Sequence, residues 1–209
     1  PITDEFFVEV AEDSAFYAER DTWSWAEFES LMDVEIYNCA QLTKLPLDLL
    51  CGAPELQSLN LSMNQGIAGE QLLSDWEAII CGASGADIQI LYFNSCNLEE
   101  TPDYSHLSRM TKLGLLDLSN NKLRKIHPFG KEIYPTTLYY DNNRIESIAP
   151  SEDGYFCGLG QLETFSCSNN QLTELPDLFD ARSVHSMITA NFSGNKISTL
   201  ANGDQWRGL

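Results

Sequence analysis

The chain has 209 residues, of which 43% are hydrophobic, so it can bury a core and wholesale disorder is excluded. Thirty-one acidic side chains against twelve basic ones give a formal charge of -19, which repels phosphate backbones and argues against a nucleic-acid partner. This charge fits either simple solubility or the attraction of a basic partner or divalent cations.

Residues 1–30 differ from the rest of the chain and are predicted to form an N-terminal cap. The segment from Phe6 to Val10 reads as a strand. Ser24-Trp-Ala-Glu27 is a capping box that opens a helix through Leu31. Three aromatic side chains are available to cover the first copy of the repeat that follows: Trp23, Trp25 and Phe28.

From residue 31 onwards, one spacing of apolar residues recurs along the chain. It is clearest between Leu113 and Ile126, which read L-x-x-L-x-L-x-x-N-x-L-x-x-I. Seven copies of this frame are recognisable over residues 31–200, and an Asn or Cys follows the apolar triplet in each copy. These residues are Cys39, Asn64, Cys96, Asn121, Asn143, Asn170 and Asn195, at spacings of 25, 32, 25, 22, 27 and 25 residues.

Each part of the frame has a physical reason. The L-x-x-L-x-L segment predicts a short strand whose alternate side chains point inward, and strands paired in parallel at about 4.8 Å make a sheet about 29 Å across. A buried Asn amide can bridge backbone groups that the turn after the strand leaves without partners to the next repeat. Cysteine fits the same position but bonds weakly, so Cys39 and Cys96 predict a slightly different local turn.

This frame resembles that of leucine-rich-repeat proteins. The irregular repeats of 22 to 32 residues are more similar to exported or cell-surface bacterial members than to any one well-defined class. The resemblance implies an α/β fold, a curved horseshoe solenoid with a parallel concave β-sheet of about seven strands and a convex side of mixed helix, 3₁₀ and loop segments. It also implies non-covalent recognition on a rigid scaffold, extracellular or at a cell surface, but it names no ligand.

The length of each repeat predicts what lies on the convex side. The 32-residue repeat contains a predicted amphipathic helix over residues 69–80, with apolar residues at helical spacing: Leu72, Leu73, Trp76, Ile79 and Ile80. Shorter helical returns are predicted at 104–112 and 183–187, whereas the 22-residue repeat leaves room only for an extended or 3₁₀ return between Ile126 and Thr137. Residues 201–209 are a C-terminal tail, either a cap or the start of a further repeat.

Two features bear on the compartment. No stretch approaches the roughly 20 continuous apolar residues of a membrane span, so no transmembrane segment is expected. The sequence begins without a methionine or a charged-then-apolar leader, so we expect any signal peptide to have been removed.

The positions of the six cysteines predict free, buried thiols rather than disulfides. They recur at fixed phases of the repeat, and a buried cysteine behaves as a small apolar residue. One phase holds Cys39, Cys96 and Cys167, and the other holds Cys51, Cys81 and Cys157, each followed by Gly. No zinc-ligand spacing, P-loop, nucleophile elbow, H-E-x-x-H or dinucleotide fingerprint is present. We therefore predict no catalytic residue, no cofactor and no metal, and a protein that is not an enzyme.

The side chains between the leucines are predicted to line the concave face. Its 35 positions, five in each of seven repeats, contain five acids and no Lys or Arg: Asp33, Glu35, Asp117, Asp141 and Glu163. The composition of the chain predicts about two bases there, so their absence favours a basic partner. Lys122, Arg144 and Lys196 instead follow the Asn of the frame and line one rim.

Aromatic, apolar and acidic side chains cluster near the middle of this face. We predict that they bind a protein or peptide through aromatic burial and acidic complementarity, although isolated apolar residues are also ordinary on surfaces. Two alternatives stay open: glycan binding, since Tyr, Asn, Asp and Ser suit sugar hydroxyls and ring faces, and a structural spacer within a longer cell-surface protein. The predicted patch consists of Tyr37, Ile90, Tyr92, Leu115, Asp117, Tyr139 and Asp141.

Overall fold

The computed structural model describes residues 30–39, 42–43, 53, 55–67, 87–101, 110–127, 133–148, 160–175 and 186–198. These ranges contain the strand-forming segment of all seven repeats and the turn that follows each one. The described residues include only residue 30 of the cap predicted over 1–30. The predicted helix over residues 69–80 and the tail at residues 201–209 lie outside them.

The described residues form nine short strands in two parallel sheets. The larger sheet has seven strands, in chain order β1 (Asp33–Glu35), β2 (Ser58–Asn60), β3 (Ile90–Tyr92), β4 (Leu115–Asp117), β6 (Thr137–Tyr139), β8 (Thr164–Ser166) and β9 (Thr189–Asn191). The smaller sheet pairs β5 (Lys125–Ile126) with β7 (Ser147–Ile148). Every strand of the larger sheet is centred on the second apolar residue of one repeat, so the predicted solenoid with seven parallel strands is confirmed.

The core forms because the central residue of each of the first six strands of the larger sheet points inward and is buried, while its two neighbours point to the other side of the sheet; Ala190, at the centre of the last strand, is exposed. Val34, Leu59, Leu91 and Leu116 are buried in successive strands, and the apolar residues before and after them in each repeat are buried as well. Burial of each such side chain stabilises the fold by about 1.5–3 kcal/mol. Near the C-terminal repeats, aromatic rings fill part of the core: Phe165 is the central residue of β8, and its ring centroid lies 6.0 Å from that of Tyr140 and 5.6 Å from that of Phe192, two residues that directly follow β6 and β9.

The Asn of the frame bridges neighbouring repeats, as predicted, but it reaches the preceding repeat rather than the next one that we expected. The Asn121 Oδ1 accepts the backbone N–H of Cys96 at 2.9 Å and of Leu98 at 3.0 Å, both from the preceding repeat. Its Nδ2 donates to the carbonyl oxygens of Phe93 at 2.8 Å and Leu118 at 3.0 Å. Four further asparagines accept one N–H from the preceding repeat and donate to carbonyl oxygens on both sides: Asn64, Asn143, Asn170 and Asn195.

At Cys96 the turn differs, as predicted, because the next residue, Asn97, also has a left-handed φ of 57°, whereas the residue after Cys39 lies outside the described residues. The Cys96 thiol donates to the carbonyl oxygen of Leu61 at 3.1 Å, and the Cys39 thiol lies 3.5 Å from the carbonyl oxygen of Tyr37 in its own turn. At both positions the backbone N–H of the cysteine itself donates to the asparagine of the next repeat.

The three cysteines among the described residues are free thiols. Cys96 and Cys167 are buried, but Cys39 is only half buried, so the prediction of burial was wrong for Cys39. The reason is its place beside β1, the first strand of the sheet, which has no preceding strand among the described residues. Cys51, Cys81 and Cys157 lie outside the described residues.

In each of the seven repeats, the residue before the Asn or Cys that follows the apolar triplet has a left-handed backbone, with φ between 52° and 70°. This conformation turns the chain out of the strand and is tolerated best by Gly and Asn. Met63 and Ser95 adopt it without that advantage. The seven residues are Asn38, Met63, Ser95, Asn120, Asn142, Asn169 and Gly194.

The structure corrects the ends of three predicted helices. Leu31 lies in the extended segment that leads into β1, so the helix predicted through Leu31 does not reach it. Thr111 and Lys112 form a turn closed by a bond from the Leu113 N–H to the Met110 carbonyl at 3.0 Å, so the return predicted over 104–112 is not helical at its end. The end of the return predicted over 183–187 is likewise not helical at residues 186–187.

Candidate functional site

The outward side chains of the larger sheet form the concave face, in three rows that run across the strands. Equivalent positions lie side by side at about 4.8 Å, because each strand pairs with the next in the same register. The first row is Asp33, Ser58, Ile90, Leu115, Thr137, Thr164 and Thr189, and the middle row is Glu35, Asn60, Tyr92, Asp117, Tyr139, Ser166 and Asn191. The third row, just beyond the strands, is Tyr37, Ser62, Asn94, Ser119, Asp141, Ser168 and Ser193.

Five of the seven predicted patch residues meet at the centre of this face. Ile90 is in register with Leu115, and Tyr92 is in register with Asp117, which is in register with Tyr139 on its other side. All five side chains are half buried. We call them the central patch: two tyrosines on either side of one carboxylate, next to two aliphatic side chains.

The other two predicted residues lie at different distances from the central patch. Asp141 adjoins it, because it follows Tyr139 by two residues on the same side of the chain. Tyr37 follows β1, two strands away from Tyr92, so it lies roughly 10 Å to the side. Its side chain is 52% exposed. The structure therefore does not bring Tyr37 into the cluster with the other six.

The two aspartates of the predicted patch are held very differently. The Asp117 Oδ1 accepts one bond, from the backbone N–H of Ser119 at 2.8 Å. The Asp141 Oδ1 accepts three, from the Ser166 hydroxyl at 2.6 Å, the Ser168 N–H at 2.6 Å and the Ser168 hydroxyl at 2.8 Å. Asp141 thus ties its own repeat to the next one. Two asparagines of the middle row make the same bond as Asp117, Asn60 to the Ser62 N–H and Asn191 to the Ser193 N–H, both at 3.1 Å.

The electrostatic environment of the central patch is negative. Burial raises the pKa of the Tyr92 hydroxyl above its ordinary value, and the nearby Asp117 carboxylate raises it further. Smaller contributions come from Tyr139, Asp33 and Glu35. The Tyr92 hydroxyl therefore stays protonated at neutral pH, where it can donate a hydrogen bond.

The basic side chains lie beside this face rather than on it. Lys122, Arg144 and Lys196 follow the bridging asparagines at the rim, where the Lys196 ammonium donates to Gln171 Oε1 at 3.1 Å. Another base, Lys112, pairs with Asp87. The concave rows and the rim thus carry opposite charges.

The described residues show little that could support chemistry. No group of three or more His, Cys, Asp or Glu side chains among them is placed to hold a metal ion. Burial raises the pKa of the Cys96 thiol to about 11 and that of the Cys167 thiol to about 12, so neither is a nucleophile at neutral pH. No helix in the described part of the chain has the length and apolar character to cross a membrane.

Sequence reasoning missed two features that shape the site. One is the left-handed residue before each bridging position, which the recurrent Asn at 38, 120, 142 and 169 could have indicated. The other is the engagement of Asp141 by Ser166 and Ser168, which depends on side chains 25 and 27 residues away and leaves no local signal.

The family model described as Leucine Rich Repeat matches residues 161–181. A leucine-rich-repeat protein from Bacteroides thetaiotaomicron VPI-5482 is 39% identical with a TM-score of 0.68, and the match covers 97% of this chain and 23% of that one. A leucine-rich-repeat protein from Bacteroides eggerthii DSM 20697 is 38% identical with a TM-score of 0.67, covering 83% of this chain and 27% of that one.

Curated relatives match over shorter stretches. Lumican from Bos taurus is 28% identical over 114 residues, which is 54% of this chain. The "Probable U2 small nuclear ribonucleoprotein A'" of Caenorhabditis elegans is 33% identical over 84 residues, which is 40% of this chain. The chain spans 32% of the length of either relative. Seven registered strands, their bridging asparagines and these matches together identify the chain as a leucine-rich-repeat protein that resembles bacterial members of that family.

Proposed function

We propose that this chain is a non-enzymatic module that binds a protein or peptide partner through its concave face. The observation that carries the proposal is the central patch, where two tyrosines and two aliphatic side chains surround Asp117 within three rows whose other members are polar. Half-buried aromatic side chains beside polar groups are common anchors of interfaces. Leucine-rich repeats generally mediate contacts between proteins, which supports the same function.

A nucleic-acid partner fits this face poorly, although the name of one relative places that relative in a ribonucleoprotein. Proteins bind nucleic acid largely by neutralising phosphates with Lys and Arg. The 35 concave positions hold five acids and no base, and the bases at the rim are few. The partner that we propose is therefore a protein or peptide.

We place the module outside the cytoplasm, secreted or displayed at a cell surface. Its similarity to bacterial leucine-rich-repeat proteins supports this placement. An antibody against the chain should detect it in the medium or on intact producing cells. Detection only after lysis of the cells would contradict the placement.

The first test of the binding function is a pull-down from bacterial and host extracts. It compares the parent chain with a Tyr92→Ala, Tyr139→Ala double variant whose fold is verified by circular dichroism and thermal melting. Tyr134→Ala is the matched control, because Tyr134 is a 45% exposed tyrosine outside the three concave rows. We expect a partner that the parent and the control retain equally and that the double variant binds about tenfold more weakly, as for a loss of buried aromatic anchors.

The other outcomes lead to different functions. A partner that the double variant retains as well as the parent would place the interface elsewhere. If no protein is retained by any of the three chains, the proposal of a protein-binding module is wrong. Saturable binding on a glycan array would then favour a glycan-binding protein, and no binding there would favour a structural spacer.

A further inference from the structure

The two tyrosines of the central patch are spaced to receive one flat cation between them. β3 and β6 lie on either side of β4, so two strand spacings place the Cα atoms of Tyr92 and Tyr139 about 10 Å apart. A group held midway, above Asp117, lies about one strand spacing of 4.8 Å from the strand of each tyrosine, so either ring can reach it within the range of about 6 Å over which a ring face attracts a cation.

The Asp117 carboxylate lies beneath that position, where one hydrogen bond orients it and no described cationic side chain pairs with it. The Ser119 N–H binds Asp117 Oδ1 at 2.8 Å and so fixes the orientation of the side chain. Within the described part of the chain, the second oxygen, Oδ2, accepts no hydrogen bond. Asp141, by contrast, directs one oxygen to three donors from Ser166 and Ser168. Of the two aspartates in the predicted patch, Asp117 accepts one donor and Asp141 accepts three, so the charge of Asp117 is the less compensated of the two.

The surroundings of Asp117 suit a long side chain that has an aliphatic stem and a cationic end. Ile90 and Leu115 lie side by side next to Tyr92 and Asp117 and offer an apolar strip on which an aliphatic stem can rest. The described concave rows contain no Lys or Arg that could compete for the carboxylate. Asp33 and Glu35 lie on the same face at β1 and add to the negative field.

We propose that the central patch is a seat for an arginine side chain presented by the partner, with the guanidinium between the tyrosines and over Asp117 and the stem along Ile90 and Leu115. This rests on the proposed binding function and specifies the chemistry of its partner. Arginine fits better than lysine, because its planar guanidinium stacks on aromatic faces, binds a carboxylate through two N–H groups and is weakly hydrated.

The test is a titration of the ¹⁵N-labelled full chain with N-acetyl-arginine amide, followed by amide chemical shifts at low salt. The lysine analogue and the neutral citrulline analogue are titrated in parallel. We expect shifts centred on residues 90, 92, 117 and 139 with the arginine amide, at least about threefold weaker binding of the lysine amide, and no saturable shifts with the citrulline amide. Shifts that are equal for citrulline, or spread evenly over all five concave acids, would overturn the proposal.

Two variants distinguish the effect of the Asp117 carboxylate on binding from the effect of the negative charge of the whole face. Asp117→Asn should weaken binding of the arginine amide about tenfold, because it removes the charge at the seat itself. Glu163→Gln is the matched control, since it removes one concave carboxylate beyond the central patch, and it should change affinity by less than about twofold. Tyr92→Phe should bind nearly as well as the parent and Tyr92→Leu more weakly, since the ring face provides the attraction. Equal effects of Asp117→Asn and Glu163→Gln would refute the seat.

Failure of this inference is distinct from failure of the binding function. A protein captured in the pull-down that requires both tyrosines, tolerates Asp117→Asn and is not displaced by N-acetyl-arginine amide would overturn the arginine seat and leave the binding module in place. A captured protein that is displaced by the arginine amide and lost with Asp117→Asn would support both.

Discussion

The hydrogen bonds of the bridging asparagines allow us to estimate how much free energy of unfolding one of these residues contributes. In Asn121→Ala, the backbone N–H groups of Cys96 and Leu98 lose their acceptor at a position that is only 7% exposed. Each buried donor left without a partner costs about 1–3 kcal/mol. The carbonyl of Leu118 keeps its bond from Asn143 Nδ2 at 3.0 Å, whereas the carbonyl of Phe93 loses its bond from Asn121 Nδ2 at 2.8 Å, so the two donors and this one carbonyl account for the cost. We expect the free energy of unfolding to fall by about 3 kcal/mol.

Cys96→Ala is the matched control, because it truncates the same position of the preceding repeat to the same side chain. The Cys96 thiol is a weak donor, and the carbonyl of Leu61 that accepts from it keeps a second bond from Asn64 Nδ2 at 2.9 Å. This variant should therefore cost only about 1 kcal/mol. Urea unfolding followed by circular dichroism measures both. If Asn121→Ala costs no more than Cys96→Ala, the asparagine bridges do not provide the stability that we assign to them.

Further predictions concern the turns and the thiols. Met63→Asn should raise the free energy of unfolding by about 0.5–1 kcal/mol, because Asn tolerates the left-handed φ of 62° better than Met; a thermal melt that shows no gain would contradict this. Gly194→Ala should lower the melting temperature, since its φ is 70° and the added Cβ would clash with Asn169 Oδ1; an unchanged melt would show that the turn relaxes freely. The raised pKa values of Cys96 and Cys167 keep both thiols protonated in the folded chain while the unfolded chain ionises. Stability should therefore be unaffected below the ordinary thiol pKa of 9.0 and fall as pH rises from there towards 11, by about 1 kcal/mol per thiol at pH 10. Urea unfolding at pH 8 and pH 10 should show this fall, and it should be smaller in Cys96→Ala.

The strands and the core could be predicted from the sequence because burial imposes them once in every repeat. A strand centred on Leu59, Leu91 or Leu116 must turn that residue inward, so its neighbours must face outward. The residues that lie side by side on neighbouring strands could also be predicted, since each repeat adds one strand in fixed register. The adjacency of Tyr92 and Asp117 is a consequence of that count.

The finer features of the site could not be predicted in the same way. The role of Asp141 depends on the rotamers of Ser166 and Ser168 in the next repeat, and no periodicity encodes a rotamer. Tyr37 shares its row with Asp141 but not its surroundings, because a row that spans seven strands is much wider than one ligand side chain. Half burial of Cys39 reflects its place at the first strand of the sheet rather than its phase in the repeat.

The fold does not require a charged side chain at position 117. Its bond to the Ser119 N–H closes the end of β4, and Asn60 and Asn191 make the same bond at the ends of β2 and β9 without any charge. Asn at position 117 would therefore preserve the turn, whereas Asp adds a carboxylate to a face that already repels itself. Since that carboxylate stands between two tyrosines rather than beside a base, its charge is best explained by a cationic group brought by the partner. The same reasoning makes Asp117→Asn a clean test, because it should leave the free energy of unfolding unchanged within about 0.5 kcal/mol while weakening the binding of arginine.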